Sequence, residues 1–285
     1  MRTLEGAVLC LAIAAVFVSC SSGPAPPKPG TNEWYWNAAV EQFTRGDLAK
    51  SQEHLEKLMA TDNPYKKRAA TWHLVVLAGL AEGHKELAEA YDAGAIMSKT
   101  QGADFRRLVQ ELRRAARMYS LGLAQEVERL QKDTAEAAQF SLEFPFPRGS
   151  ATEVITLDRV RKGMLPQESE RGTAEQRTLE RAVLLETAAV VGAGQDTAKA
   201  AELFKQQPVA VPRAVFLLGL ATSLFEQSAL FDRKKMNEPD KKKILLEMAA
   251  SCLKSAGEGD AAWKKKAKEL QAKIEKERKA LPAGV

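Results

Sequence analysis

An all-α fold of antiparallel helix pairs is predicted, and three observations carry the prediction. Ala, Leu, Glu and Lys dominate the chain, aromatic residues make up only 6%, and β-branched runs are scarce, a composition that favours helix. Apolar residues recur at helical spacing almost without interruption from Glu33 onward. A helix–glycine turn–helix pattern repeats, with Gly46 and Gly83 standing 37 residues apart. That is close to the period of arrays of stacked helix pairs.

The chain has 285 residues, of which 45% are hydrophobic and 28% charged. It can bury a sizeable core, which excludes a wholly disordered chain. Three cysteines and three histidines exclude a disulfide framework and leave little for metal chemistry.

Residues 1–19 read as a leader and not as part of the fold. The apolar run Ala7 to Val18 is twelve residues long, whereas a membrane-spanning helix needs about 20. It has the length of a signal-peptide core, with Arg2 before it and Glu5 weakening the charge. The run ends at Phe17-Val18-Ser19-Cys20-Ser21-Ser22. This resembles the lipobox of bacterial lipoproteins, in which the cysteine is acylated and becomes the new first residue. The resemblance implies lipidation at Cys20, and Ser21 after it implies passage to the outer membrane. The alternative is secretory cleavage near Ser22, with Cys20 discarded. Residues 20–32 then hold a Pro-rich polar spacer, SSGPAPPKPG from Ser21 to Gly30, extended and unable to pack. Beyond Cys20 the remaining thiol is Cys252, in the apolar stretch Met248 to Leu253, where burial is expected.

Residues 33–143 form the first helical segment. Trp34 to Phe43 is an amphipathic helix, Arg45-Gly46-Asp47 a turn, and Leu48 to Ala60 a second helix with Leu48, Ser51, Leu55 and Leu58 on one face. Thr61-Asp-Asn-Pro64 closes the pair. Trp72 to Ala81, a turn at Glu82-Gly83-His84, and Lys85 to Ala95 repeat the arrangement. Residues 102–139 follow as one long helical stretch, with Phe105, Leu108, Leu112, Ala115 and Tyr119 as its seam. Both helix pairs resemble degenerate tetratricopeptide (TPR) repeats. The first has Tyr35 or Trp36, Gly46, Ser51, Leu55 and Pro64 at the family's places; the second has Trp72, Gly83 and Ala88.

Residues 144–174 are an irregular connector, opened by Phe144-Pro-Phe-Pro-Arg-Gly149 and containing a short helix, Glu153 to Lys162. Phe144 and Phe146 are placed to dock on a neighbouring helix. Residues 175–285 carry weaker units: Arg181 to Val191 with Thr197 to Lys205 around Gly192-Ala-Gly194, then Val215 to Leu220 with Ile244 to Ser255 around a charged insert, Phe231 to Lys243. Ala261 to Lys279 reads as the polar cap helix such arrays require. The expectation is a TPR-like solenoid with no sheet. Such a stack leaves a concave surface lined by the first helix of each pair, and Asn37, Glu41, Thr71 and Val75 are the candidate lining.

Enzyme signatures are missing. Gly192-x-Gly194 has neither a third glycine nor a preceding strand, and no phosphate loop, HExxH or nucleophile elbow is present. His54, His73 and His84 share no metal-ligand spacing, and Glu53 and Glu56 lie on a solvated helix face. No catalytic residue, cofactor or metal is expected. Lys264 to Lys279 holds eight basic and three acidic residues, a local net charge of +5. A solvated cap is the simple reading; contact with phospholipid headgroups or an acidic partner is the sharper one. Nucleic acid is not expected, because the run lacks interleaved aromatics.

These features together resemble a lipid-anchored outer-membrane TPR protein with its body in the periplasm, acting as a scaffold for envelope proteins or peptides. The TPR lipoprotein of the β-barrel assembly machinery has a similar layout and is the more specific alternative. An enzyme of unrecognised type is the reading of a different class.

Overall fold

The computed structural model describes residues 26–134, 137–146, 154–206, 208–257 and 259–282. The chain is mostly helical. The described residues form ten α-helices, one 3-10 turn and a two-stranded antiparallel ribbon.

Helices α1 (Asn32–Thr44) and α2 (Leu48–Met59) form the first antiparallel pair. Thr31 caps α1 by accepting from the Trp34 N–H, and Asp47 caps α2 by accepting from the Lys50 N–H. Gly46 makes the turn between them with a positive φ of 79°. The buried residues of α2 are Leu48, Ser51, Leu55 and Leu58, the face read from the sequence. Ser51 Oγ donates to the Ala39 carbonyl at 2.9 Å, so the two backbones approach closely at a small residue.

The next unit corrects the sequence reading. No turn occurs at Glu82-Gly83-His84. Helix α3 runs unbroken from Lys66 to Met97. Every residue from Thr71 to Ala81 is buried, and a helix apolar on all sides is a core helix. Gly83 is helical here, because a second helix presses on it. A Cβ at Gly83 would sit 2.8 Å from Leu179 Cδ2, and one at Gly79 would sit 2.5 Å from the Val183 Cα. Both glycines mark the approach of α6 (Glu168–Val190).

Helix α4 (Gly102–Asp133) packs antiparallel along α3. Its buried seam begins as expected at Phe105, Leu108 and Leu112. It then continues through Ala116 and Ser120, leaving Ala115 and Tyr119 half-buried. Strand β1 (Gln139–Leu142) follows, and pairs antiparallel with β2 (Val209–Pro212). This overturns the expectation of no sheet. Phe140, Leu142, Val209 and Val211 point inward while Gln139, Ala210 and Pro212 are exposed, the period-two pattern of a half-buried strand. Each run is only four residues long, too short to stand out from its helical surroundings.

Helix α5 is Val154–Arg161, and α7 is Thr197–Leu203. Helix α8 (Arg213–Ser228) continues into the 3-10 turn Ala229–Phe231, and α9 (Pro239–Ser255) and α10 (Ala261–Lys279) complete the fold. The stretch Arg213–Phe231 is long and apolar enough to cross a membrane, but 67% of its apolar window is buried inside the protein. It is a core helix.

Packing centres on α3, which touches α2, α4, α5, α6, α8 and β1. One hydrophobic cluster extends from Trp36 to Ile274, and a smaller one joins the end of α3 to α4 and α5 through Tyr91, Phe105, Leu157 and Val160. Phe144 docks as expected: its ring stacks on Trp72 at 4.7 Å and meets Trp36 and Phe43 edge-on at 5.0 and 5.2 Å. Phe146 lies 5.2 Å from Phe204. Arg213 ties α4, the ribbon and α9 together. Its side chain donates to the carbonyls of Thr134 and Ser255, and its backbone N–H to that of Ala138.

Candidate binding cleft between α2, α3 and α4

The four residues expected to line a groove do not come together. Asn37 and Glu41 are exposed on the outer face of α1. Thr71 is 3% exposed and Val75 fully buried. Thr71 Oγ1 donates to the Lys67 carbonyl, an intrahelical bond. A helix packed on every side offers no free groove face at these positions, so the predicted lining is corrected. Cys20 and residues 147–153 of the connector lie outside the described residues.

A concave site does exist at the N-terminal end of α3. It has a volume of about 600 Å³. Met59, Ala70 and Leu130 supply apolar surface from α2, α3 and α4, and Pro64 adds to it from the α2–α3 turn. Asp62, Lys66 and Lys67 stand on one side, and Glu126, Arg129 and Asp133 on the other. Asn63 fixes the turn: its Nδ2 donates to the Leu58 carbonyl at 2.7 Å, and its Oδ1 accepts from the Tyr65 N–H at 2.9 Å. On α4, Arg129 Nη1 donates to Glu126 Oε1 at 2.6 Å. Burial holds the Glu126 carboxyl above its ordinary value, and Glu56 and Asp133 push the same way against Arg129.

His73 lies one helical turn beyond Ala70 on α3. It is buried, and its Nδ1 has no hydrogen-bond partner. Burial pushes its pKa down to about 4, helped by the Arg129 charge. His73 is therefore neutral near pH 7, and its imidazole carries no charge behind the cleft. Apolar surface with charges of both signs around it suits a polypeptide segment. One apolar side chain would enter, while backbone or charged groups would be met at the edges.

The most perturbed acid lies elsewhere. Glu186 on α6 is buried, and Ser223 Oγ on α8 lies 2.7 and 2.6 Å from its two oxygens. Desolvation raises its pKa to about 8, the Ser223 bond opposes, and Glu82 and Glu226 add to the rise. The carboxyl is then protonated at pH 7. It can donate to Ser223 Oγ, whose own hydroxyl reaches the Gly219 carbonyl at 3.2 Å. Lys85 Nζ binds both oxygens of Glu82 and the Glu226 carbonyl beside it. The Glu186–Ser223 contact lies buried in the α6–α8 interface. Sequence reasoning missed it, although Glu186 follows Ala182 and Val183 and precedes Val190 on the buried face of α6. A lone acid on that face was the available signal. Cys252 is buried as expected, its thiol pushed up to about 12 by desolvation.

Comparison with protein-family models, with curated proteins and with solved structures finds no match to this chain.

Proposed function

We propose that the chain is a lipid-anchored envelope protein, held at the outer membrane through Cys20, whose TPR-like helical body binds a protein segment in the α2–α3–α4 cleft. The observation that carries the binding reading is the cleft itself: about 600 Å³ of partly apolar surface rimmed by Lys66, Lys67 and Arg129 and by Asp62, Glu126 and Asp133. The anchor rests on the sequence Phe17 to Ser22 and the Pro-rich spacer behind it. A TPR relationship is best supported at α1–α2, where Ser51 meets the Ala39 backbone at the place the family keeps a small residue.

Two measurements test the two parts separately. Metabolic labelling with a clickable fatty acid should mark the wild type, and Cys20→Ala should abolish the mark and release the protein from the membrane fraction. An unlabelled wild type with a mature N-terminus beyond Cys20 overturns the anchor. For the cleft, Ala70→Trp fills the site from a half-buried position. Proteins that co-purify with the detergent-solubilised wild type should be lost from this variant while its helical spectrum is kept. An unchanged set of partners overturns the cleft as the binding site.

A further inference from the structure

The outer face of α10 differs electrostatically from the other long exposed helix. Along α4, five of the seven basic residues (Arg107, Arg113, Arg117, Arg129 and Lys132) pair with a carboxylate within 3.1 Å, and among the described residues only the exposed Arg106 and Arg114 do not. Helix α10 buries Ala267, Leu270 and Ile274. Opposite that face lie Lys265, Lys268, Ala272, Lys276 and Lys279, all exposed, at spacings of three and four residues. Among the described residues no ion pair joins any of these four lysines to a carboxylate. The acids of the helix are engaged elsewhere or flank the row. Glu277 accepts from Lys242 Nζ at 2.6 Å, Glu275 accepts from Gln271, and Glu269 lies to one side. Lys254 of α9 adds a cation, sharing with Lys268 the shallow groove between the two helices, where Glu247 also stands and faces Arg278 at 3.8 Å.

We propose that this lysine row is a docking face for an anionic phospholipid surface. The row spans roughly 21 Å at the helical rise, and it is straight, so its charges can meet one plane together. All four cations are lysine. Lysine attracts a diffuse anionic surface as a point charge, whereas paired recognition of single carboxylate or phosphate groups favours the arginine fork. The face has no aromatic anchor of the kind that centres a protein interface. Trp263, the one aromatic of α10, is turned inward, and its indole N–H donates to the Ala214 carbonyl at 2.8 Å. The only apolar side chain in the row is the methyl of Ala272. Adsorption here is therefore electrostatic, without insertion. It does not depend on acylation of Cys20 and would act beside such an anchor.

The test uses the full chain carrying Cys20→Ala, so that no lipid anchor contributes. Phosphatidylcholine vesicles give the background from residues 1–20, and vesicles containing phosphatidylglycerol give the signal. Binding should be selective for the anionic vesicles and should vanish at high salt. Each lysine near a charged membrane is worth about fivefold in partitioning, so replacing Lys265, Lys268, Lys276 and Lys279 together with Gln should cost on the order of 100-fold or more. The same four positions changed to Arg should retain binding. Equal binding to both vesicle types, or a Gln variant that binds as well as its parent, overturns the proposal. So does a lysine-dependent complex with polyglutamate and no vesicle binding, which would assign the face to an acidic protein.

Discussion

The start and the middle of α3 are held by opposite means. Near its start, Trp72 sits inside a box of rings, with Phe144 stacked at 4.7 Å, Phe43 edge-on at 5.1 Å and Phe204 at 6.3 Å. Further along, Gly79 and Gly83 let the α6 backbone approach so closely that there is no room for a Cβ. The first contact is made by volume and the second by its absence. One should fail when atoms are removed, the other when atoms are added.

The largest effect is expected in the aromatic box. Trp72 is fully buried and touches the first helix pair, the connector and the segment after α7 at once. Trp72→Ala should cost on the order of 3–5 kcal/mol, by lost burial and an unfilled cavity. Thermal denaturation should show a fall of about 10 °C. A fall of under a degree would mean that the rings are not a single packed unit.

The seam should respond to the reverse change. Gly79→Ala raises helix propensity and would stabilise a free helix. Here the added methyl meets the Val183 Cα and Cγ2, each at 2.5 Å, so the variant should lose about 1–3 kcal/mol by overpacking. Chemical denaturation checks the sign. A stabilised variant would show that α6 can shift away, and the contrast between the start and the middle of α3 would dissolve.

This contrast also marks what could be read from the sequence. The first pair was legible almost residue by residue, because short helices between Gly46, Asp47 and Pro64 carry their own punctuation. The Gly192–Gly194 turn and the start of α10 at Ala261 were legible for the same reason. Helix α3 was not. Its Gly83 is flanked by polar residues, Glu82 and His84, and so looks like a turn until α6 is seen lying against it. Close approach between segments far apart in the chain leaves no local mark. The ribbon failed on length, since four alternating residues fit a helix end as well as a strand. The expected groove lining, Asn37 and Glu41 on α1 with Thr71 and Val75 on α3, does not form one surface. Thr71 and Val75 are buried, and α3 opens to the cleft only through Lys66, Lys67 and Ala70, before burial closes around it.

The same two regions also separate by pH. Glu186, on the same helix as the glycine seam, has its folded pKa raised to about 8 by burial. The unfolded chain releases that proton near the ordinary carboxylate range, so between there and about pH 8 the native state binds more protons than the unfolded one. Stability from this group is therefore present at low pH and lost as pH rises through that interval. His73, by the aromatic box, acts in the opposite sense. Its folded pKa is lowered to about 4, so its term is lost as pH falls below about 6.5. The informative quantity is then the difference between Glu186→Gln and wild type at each pH. The variant should melt on the order of 10 °C higher at pH 8 and within about a degree of wild type at pH 4. A difference that does not change with pH would mean that Glu186 is already ionised in the folded protein.

The smallest expected effect asks which kind of contact joins α1 to α2. These helices lie beside the aromatic box, yet their backbones meet at Ser51 as α3 and α6 meet at glycine. Ser51 is fully buried, and its Oγ donates to the Ala39 carbonyl. Ala39 is inside α1, so that oxygen has a helical N–H partner of its own and stays satisfied when the hydroxyl is removed. Ser51→Ala keeps the small size and gives up one hydrogen bond, for a loss of about 1 kcal/mol or less. Ser51→Val keeps the helix and adds bulk where the backbones touch, so it should cost more than Ala does. If size rules this contact, the order of stability is Ser, then Ala close behind, then Val. Denaturant midpoints of the three proteins decide the matter. Ala falling as far as Val would show that the hydroxyl itself holds the pair, and that only the α3–α6 seam is governed by space.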